Sequence, residues 1–306
     1  MPKRISRNGR AARLNEQANA CKNGGDEAAA LDLYAQAARV QPLWAAPWFN
    51  IGLIHKYRGD WAASLSANQE ALRRDPEHEG AIWNAGIAAT ALGQWRLARA
   101  MWRRYGIDMA DSDAPCDMGA SLTPIRVNPR EAPEVLWADR IDPARAIIRS
   151  IPTEAAQRRY GDLLLHDGAP NGYRRLHGQE MAVFDELQVL APSAFATWEL
   201  QVEGLDAEQA DALAQRFTDA DVPAENWSTS LHLLCRACSE GRPDDDPGHA
   251  HPPATGAADA VVTLGLALHD SADAAGTVNA LMAAMPGARV RGLRCVLPAV
   301  GAGAPA

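Results

Sequence analysis

What this chain lacks narrows it before any motif is found. No stretch approaches the run of about 18 apolar residues that a membrane span needs. The opening MPKRISRNGRAARLNEQ is basic but has no apolar segment behind it, so a secretory leader is not expected. Five cysteines in 306 residues are too few, and odd in number, for a disulfide framework, and they point to reduced thiols in the cytoplasm. Catalytic signatures are missing too: there is no P-loop, no G-x-G-x-x-G after a strand, no H-E-x-x-H and no nucleophile elbow. Basic charge is also thin. Residues 1–112 hold 15 Lys and Arg against 11 Asp and Glu, and the remainder holds 15 against 27. Phosphate binding needs a clustered basic face, so no nucleic-acid partner is expected. Arg96, Arg99 and Arg103 fall at helical spacing and read as a solvated helix face.

What is present is a repeat. Segments 11–44, 45–78 and 79–112 align without a gap at a period of 34 residues. Leu14, Trp48 and Ile82 superpose, as do Ala18, Gly52 and Gly86, and Gly25, Gly59 and Gly93. Ala30, Ser64 and Ala98 align next, then Tyr34, Asn68 and Trp102; Ala37 matches Ala71 and Pro42 matches Pro76. Each unit reads as two helices around a Gly-containing turn. The small residue in mid-helix costs about 1 kcal/mol when it is Gly, so its recurrence predicts a close helix–helix approach. Pro42 and Pro76 stop the second helix of their units. In the third unit Tyr105 and Ala110 replace the small residue and the Pro, which predicts a different ending.

These residues resemble the tetratricopeptide repeat family over 11–112, about a third of the chain. The resemblance implies an all-α solenoid of helical hairpins that binds a peptide or helix along the first helix of each unit. By repeat offset it assigns Asn15, Asn19, Phe49, Leu53, Tyr57, Trp83 and Ile87 to the groove, with Asn50 and Asn84 beside them as partners for a ligand backbone. The slots where family members clamp a carboxylate with Lys or Arg hold Asn15, Gly80 and Asn84, so that mode is not implied. An aromatic, apolar groove suits a hydrophobic peptide or helix. The chain's own C-terminal half is a further candidate occupant.

Beyond the array the pattern changes. Residues 113–133 carry the Pro, Gly, Ser and Asp of a linker. Over 134–190, EVLWADRI, ARAIIRSI, GDLLLHD, GYRRLH and EMAVFDEL read as five short strands of a small β module, parted by turns at Asn171-Gly172 and His177-Gly178. His166 and Asp167 are adjacent there, and a strand ending in a turn accounts for them better than catalysis. Residues 195–298 read strand, helix, strand and then strand, helix, strand again. FATWELQVE, LDAEQADALAQRFTDA, ENWSTSLHLL, VVTLGLAL, a helix near 271–285 and ARVRGLRCVL give a ferredoxin-like βαββαβ domain. The class is multidomain, an all-α array followed by an α+β half.

Within that domain lies LCRACSEGRPDDDPGHAH, with Cys235, Cys238, His249 and His251 inside loop 235–251. A C-x2-C pair and an H-x-H pair can close a tetrahedral structural zinc site, and thiolate with imidazole favours zinc over harder cations. A redox pair is the second reading. It is disfavoured because the cysteines follow a strand, with no helix to stabilise a thiolate. A loop holding incidental thiols is the third. His232 is a substitute ligand. Together these features predict a non-enzymatic cytoplasmic adaptor with a peptide partner and a structural zinc. The alternative is an enzyme or metal sensor whose C-terminal zinc or thiol site is functional and whose repeats recruit substrate.

Overall fold

The computed structural model describes residues 7–176, 178–230, 261–269, 272–285 and 287–300. The chain divides into two compact units, Met1–Asp117 and Met118–Ala306.

The first unit is a run of three helical hairpins. They are α1 (Arg7–Asn23) with α2 (Glu27–Val40), α3 (Ala46–Tyr57) with α4 (Trp61–Arg74), and α5 (Glu79–Ala91) with α6 (Trp95–Arg104). The recurring glycines explain the hairpin turns. Gly25, Gly59 and Gly93 have φ of +85°, +74° and +66°, the left-handed region that a side chain disfavours. At each turn the glycine N–H and the next N–H bond back into the helix, as in Gly59 N to Lys56 O at 3.0 Å and Asp60 N to His55 O at 2.9 Å.

The mid-helix small residues are explained by what lies opposite. A Cβ on Gly52 would stand 2.6 Å from the Asn68 amide, and one on Gly86 would stand 2.5 Å from the Trp102 ring. Ala18 shares a buried cluster with Ala30, Tyr34 and Ile54. Partners 16 residues apart thus meet across every hairpin. Gly86→Ala is therefore expected to lose stability, by about 1–3 kcal/mol through overpacking. A helical Gly→Ala change elsewhere gains up to about 1 kcal/mol. Thermal melting followed by helical circular dichroism measures the difference.

The third hairpin ends early. α6 stops at Arg104, and Gly106 (φ +102°) terminates it with Ile107 N bonded to Trp102 O at 2.9 Å.

The second unit begins with strand β1 (Ser121–Val127), inside the stretch whose composition reads as linker. Pro124 is part of the Pro, Gly, Ser and Asp content behind that reading. It is tolerated because only Ile125 and Arg126 pair with β5, while the rest of β1 pairs with β2 alone. β2 (Glu134–Arg140), β3 (Arg145–Ile148), β4 (Leu163–Leu176) and β5 (Gln179–Ala191) complete a closed barrel in chain order. Its seam joins β1 and β5 in parallel, beside a two-pronged Arg126–Asp185 ion pair at 2.7 and 2.8 Å. Where GDLLLHD and GYRRLH were expected as two strands, Leu163–Leu176 form one long strand. Asn171-Gly172 makes an irregularity in β4, with register shifts on both sides of Pro170, where a turn was expected.

The rest of the unit is a four-stranded antiparallel sheet in the order β7–β8–β6–β9. Its elements are β6 (Phe195–Glu203), α7 (Ala207–Asp219), β7 (Ala224–Asn226), α8 (Trp227–Ser230), β8 (Val262–His269), α9 (Ala274–Met282) and β9 (Arg289–Leu297). A capping box of Asp206 and Gln209 starts α7, whose Ala210, Leu213, Ala214 and Phe217 are buried, as the periodicity predicts. They join Leu200, Val202, Leu264, Leu266, Val278 and Met282 in one core, so α7 and α9 cover the same sheet face. The strand expected through ENWSTSLHLL stops at Asn226. Its side chain accepts from Ser228 N at 3.1 Å and turns the backbone into α8. The opposite sheet face meets the barrel through Ile151, Trp227, Ala267 and Val296, with Tyr160 and Phe195 packed against them.

Candidate functional site

The first helices of the three hairpins carry the residues assigned to ligand binding, and two polar contacts organise them. At one end, Asn50 Nδ2 donates to Asn15 Oδ1 at 3.3 Å, tying α3 to α1. At the other, Lys56 Nζ donates to Asn84 Oδ1 at 3.2 Å, tying α3 to α5. The Lys56 ammonium also lies 4.6 Å from the Tyr57 ring centroid, a cation–π distance. On α3, Phe49, Leu53 and Tyr57 recur every four residues and so form one apolar stripe. Phe49 and Leu53 are half-buried and Tyr57 is 41% exposed. Phe49 is held against the His78 ring, centroids 4.6 Å apart, and Gly80 leaves it room.

Three assigned residues serve the array's interior more than its surface. Asn19 accepts from the Tyr34 hydroxyl at 2.5 Å, across the first hairpin; burial pushes the Tyr34 pKa up. Trp83 stands edge-on to Trp102 and Tyr105, with centroids at 5.0 and 4.6 Å, and its indole N–H is enclosed without a partner among the described residues. Ile87 is fully buried and belongs to the core. Lys56 was not among the residues assigned from sequence. Its signal was available, because Lys22 and Lys56 stand one repeat apart. A lysine at a helix end reads as solvated, whereas Lys56 is only 3% exposed.

Of the arginine stripe of α6, Arg96 and Arg103 are exposed as expected and are paired with aspartates that follow the helix, whereas Arg99 is buried.

In the barrel, His166 and Asp167 lie within β4 rather than at its end, and both are buried. His166 Nδ1 is 2.7 Å from the Asp167 carbonyl oxygen, which makes Nδ1 the donor. Nε2 is enclosed without a partner among the described residues. Burial, reinforced by the nearby Arg140 cation, pushes the His166 pKa down to about 4. The imidazole is thus neutral at pH 7 and packed in the barrel interior.

Cys235, Cys238, His249, His251 and His232 lie outside the described residues. Among the described residues, no group of three or more His, Cys, Asp or Glu could hold a metal ion. No described helix is long and apolar enough to cross a membrane.

No family model matches this chain, and no curated protein is similar to it. Among solved structures the chain is similar to the first TPR of Spaghetti (RPAP3) bound to HSP90 peptide SRMEEVD. That match has 21% identity and a TM-score of 0.30, covering 31% of this chain and 76% of that one. It is also similar to the second TPR of Spaghetti (RPAP3) bound to the same peptide, at 16% identity and TM-score 0.31, over 32% of this chain and 91% of that one. The Arabidopsis OM64 TPR domain matches at 18% identity and TM-score 0.31, over 33% of this chain and 83% of that one.

Proposed function

We propose that this protein is a cytoplasmic adaptor whose helical array binds an extended peptide or a helix of a partner protein. The observation that carries this reading is the α3 stripe of Phe49, Leu53 and Tyr57, flanked by the Asn15–Asn50 and Lys56–Asn84 contacts. An apolar strip between two sets of amide groups offers burial for side chains and hydrogen bonds for a ligand backbone. Asn15 and Asn50 are the backbone contacts in this reading, while Asn84, 4% exposed and bonded to Lys56, and Trp83 support the strip from within.

Selecting displayed 12-residue peptides against the full chain tests it. Enriched peptides share an apolar motif, and the best of them loses about tenfold or more in affinity with Phe49→Ala or Tyr57→Ala. Tyr173→Ala, on the exposed part of β4, serves as the control. A selected peptide whose affinity none of the α3 substitutions changes ends the groove reading.

We also read 195–298 as ferredoxin-like. The order β7–β8–β6–β9, antiparallel throughout, and two helices on one face support that reading. For loop 235–251 the proposal of a structural zinc on Cys235, Cys238, His249 and His251 rests on the spacing of two thiols and two imidazoles. Metal analysis of the purified protein is expected to give one equivalent of zinc, lost in Cys235→Ser. Protein purified without zinc, and as stable with Ser at 235 as without it, excludes the site.

A further inference from the structure

The end of the helical array poses a physical problem that the structure solves in an unexpected way. In a stack of hairpins each second helix buries one face against the next unit, and the last has no such neighbour. α2 and α4 carry Leu31 and Leu65 at the same repeat offset. Leu31 packs into the cluster that contains Ile51 and Ile54 of α3, and Leu65 is 6% exposed. At that offset α6 carries Arg99, which is also buried.

The Arg99 guanidinium is taken up by backbone. Nη1 donates to Ala110 O at 3.1 Å, Nε and Nη2 to Ala114 O at 3.3 Å, and Nη2 to Pro115 O at 3.1 Å. Arg96 grips Asp113 through two bonds of 2.9 and 2.7 Å and reaches Asp111 at 3.0 Å. Arg103 is 3.6 Å from the same Asp111. Three arginines at i, i+3 and i+7 therefore hold residues 110–115 along α6, and Cys116, next in the chain, is buried. The held segment forms no helix or strand of its own.

We propose that residues 110–116 are a charge-held strap that seals the end of the array in place of a fourth hairpin and lifts when its ion pairs are screened. The aliphatic stem of Arg99 fills the position where the inner units carry Leu, and its head group fixes the strap through carbonyl oxygens. Arg96, Asp113, Asp111 and Arg103 supply the outer grip. Their side chains are 60%, 74%, 48% and 40% exposed, so salt reaches all of them. Most of the strap's described grip is polar, so it opens before the helices beneath it melt. Whether the strap is closed decides whether the outer face of α6 is covered.

Cys116 reports the state of the strap in the intact protein. Alkylation by a maleimide is followed for each cysteine-containing peptide by mass spectrometry, with the exposed Cys295 as internal reference. At 0.1 M NaCl Cys116 reacts far more slowly than Cys295. At 1 M NaCl, where the screening length drops from about 10 Å to about 3 Å, its rate rises several-fold while that of Cys295 does not. Arg99→Met keeps the stem, removes the head and raises the Cys116 rate about tenfold at low salt. Arg96→Gln, an exposed change that leaves the hairpins intact, raises the rate less and abolishes most of its salt dependence. The strap is refuted if Cys116 matches Cys295 in the unaltered protein. It is equally refuted if Cys116 stays slow at every salt concentration and in both variants, because 110–116 would then be fixed core.

Discussion

Trp227→Ala is expected to cost about 3–5 kcal/mol, the range for removing a large buried aromatic side chain. It is also expected to split the unfolding of the second unit into separate transitions. Trp227 is 5% exposed, and its Nε1 donates to the Ile151 carbonyl at 3.0 Å. The ring lies so close over β8 that a Cβ on Gly265 would stand 2.3 Å from it. It thus touches the sheet with its face and the barrel with its only donor. Ile151, Ala267, Val296, Tyr160 and Phe195 complete the contact, and Ile151 N donates to Glu225 at 2.9 Å. Without the indole, the Ile151 carbonyl loses its bond and a cavity opens between barrel and sheet. Hydrogen exchange under mild denaturant, compared between peptides from β2–β4 and from β6–β8, shows whether the two still open together. A cost below about 1 kcal/mol with a single shared transition would falsify this role.

A second large effect is a dependence on pH carried by His166. Its folded pKa is pushed down to about 4 from the ordinary 6.5, first by burial and then by Arg140. A histidine with a lowered folded pKa binds its proton more weakly folded than unfolded. Its contribution is therefore complete above pH 6.5 and is lost as pH falls toward 4. The shift corresponds to a loss of about 3 kcal/mol across that window. A second proton would meet no acceptor among the described residues: Nδ1 already donates to the Asp167 carbonyl, Nε2 is enclosed, and the Phe184 ring lies 5.5 Å from the imidazole, centroid to centroid. Asp142 and Arg145 form a buried ion pair at 2.6 Å in the same barrel. Burial raises the pKa values of Glu134 and Asp162, which has the opposite sign and stabilises the fold as pH falls. The informative quantity is therefore the stability of the natural chain minus that of His166→Leu. It is level above pH 7 and falls by about 1.4 kcal/mol per pH unit below 6.5. A difference that stays level down to pH 4.5 means that the imidazole finds a partner when it is protonated.

The reach of sequence reasoning differs between the two units for a physical reason. In the array, interactions recur at one fixed offset, so three copies of the same constraint align and reinforce each other. The Gly turns, the close helix approach at the small residues and a different ending for the third unit were legible. In the barrel, closure depends on pairs such as Ile125–Phe184, far apart in sequence and not repeated. β1 was missed because the Pro, Gly, Ser and Asp around it suggest a linker, and Pro124 fits a strand only once its one-sided pairing is known. The irregularity at Gly172 was missed because a positive φ serves a turn and a bulge equally well. Arg99 was misread because exposure, the property that separates a solvated arginine from a clasp, is set by what packs on it.

The sequence by itself determined the repeat period, the hairpin turns, the α7 core face and the places of β6, α7, β8, α9 and β9. Each follows from local backbone preference or from periodic burial. Tertiary structure alone decided which polar groups meet. It joined Lys56 to Asn84, sealed His166 in the barrel, laid Trp227 between barrel and sheet and folded a charged strap onto Arg99. Such contacts are set by packing across long separations, where a single chain carries no periodic signal.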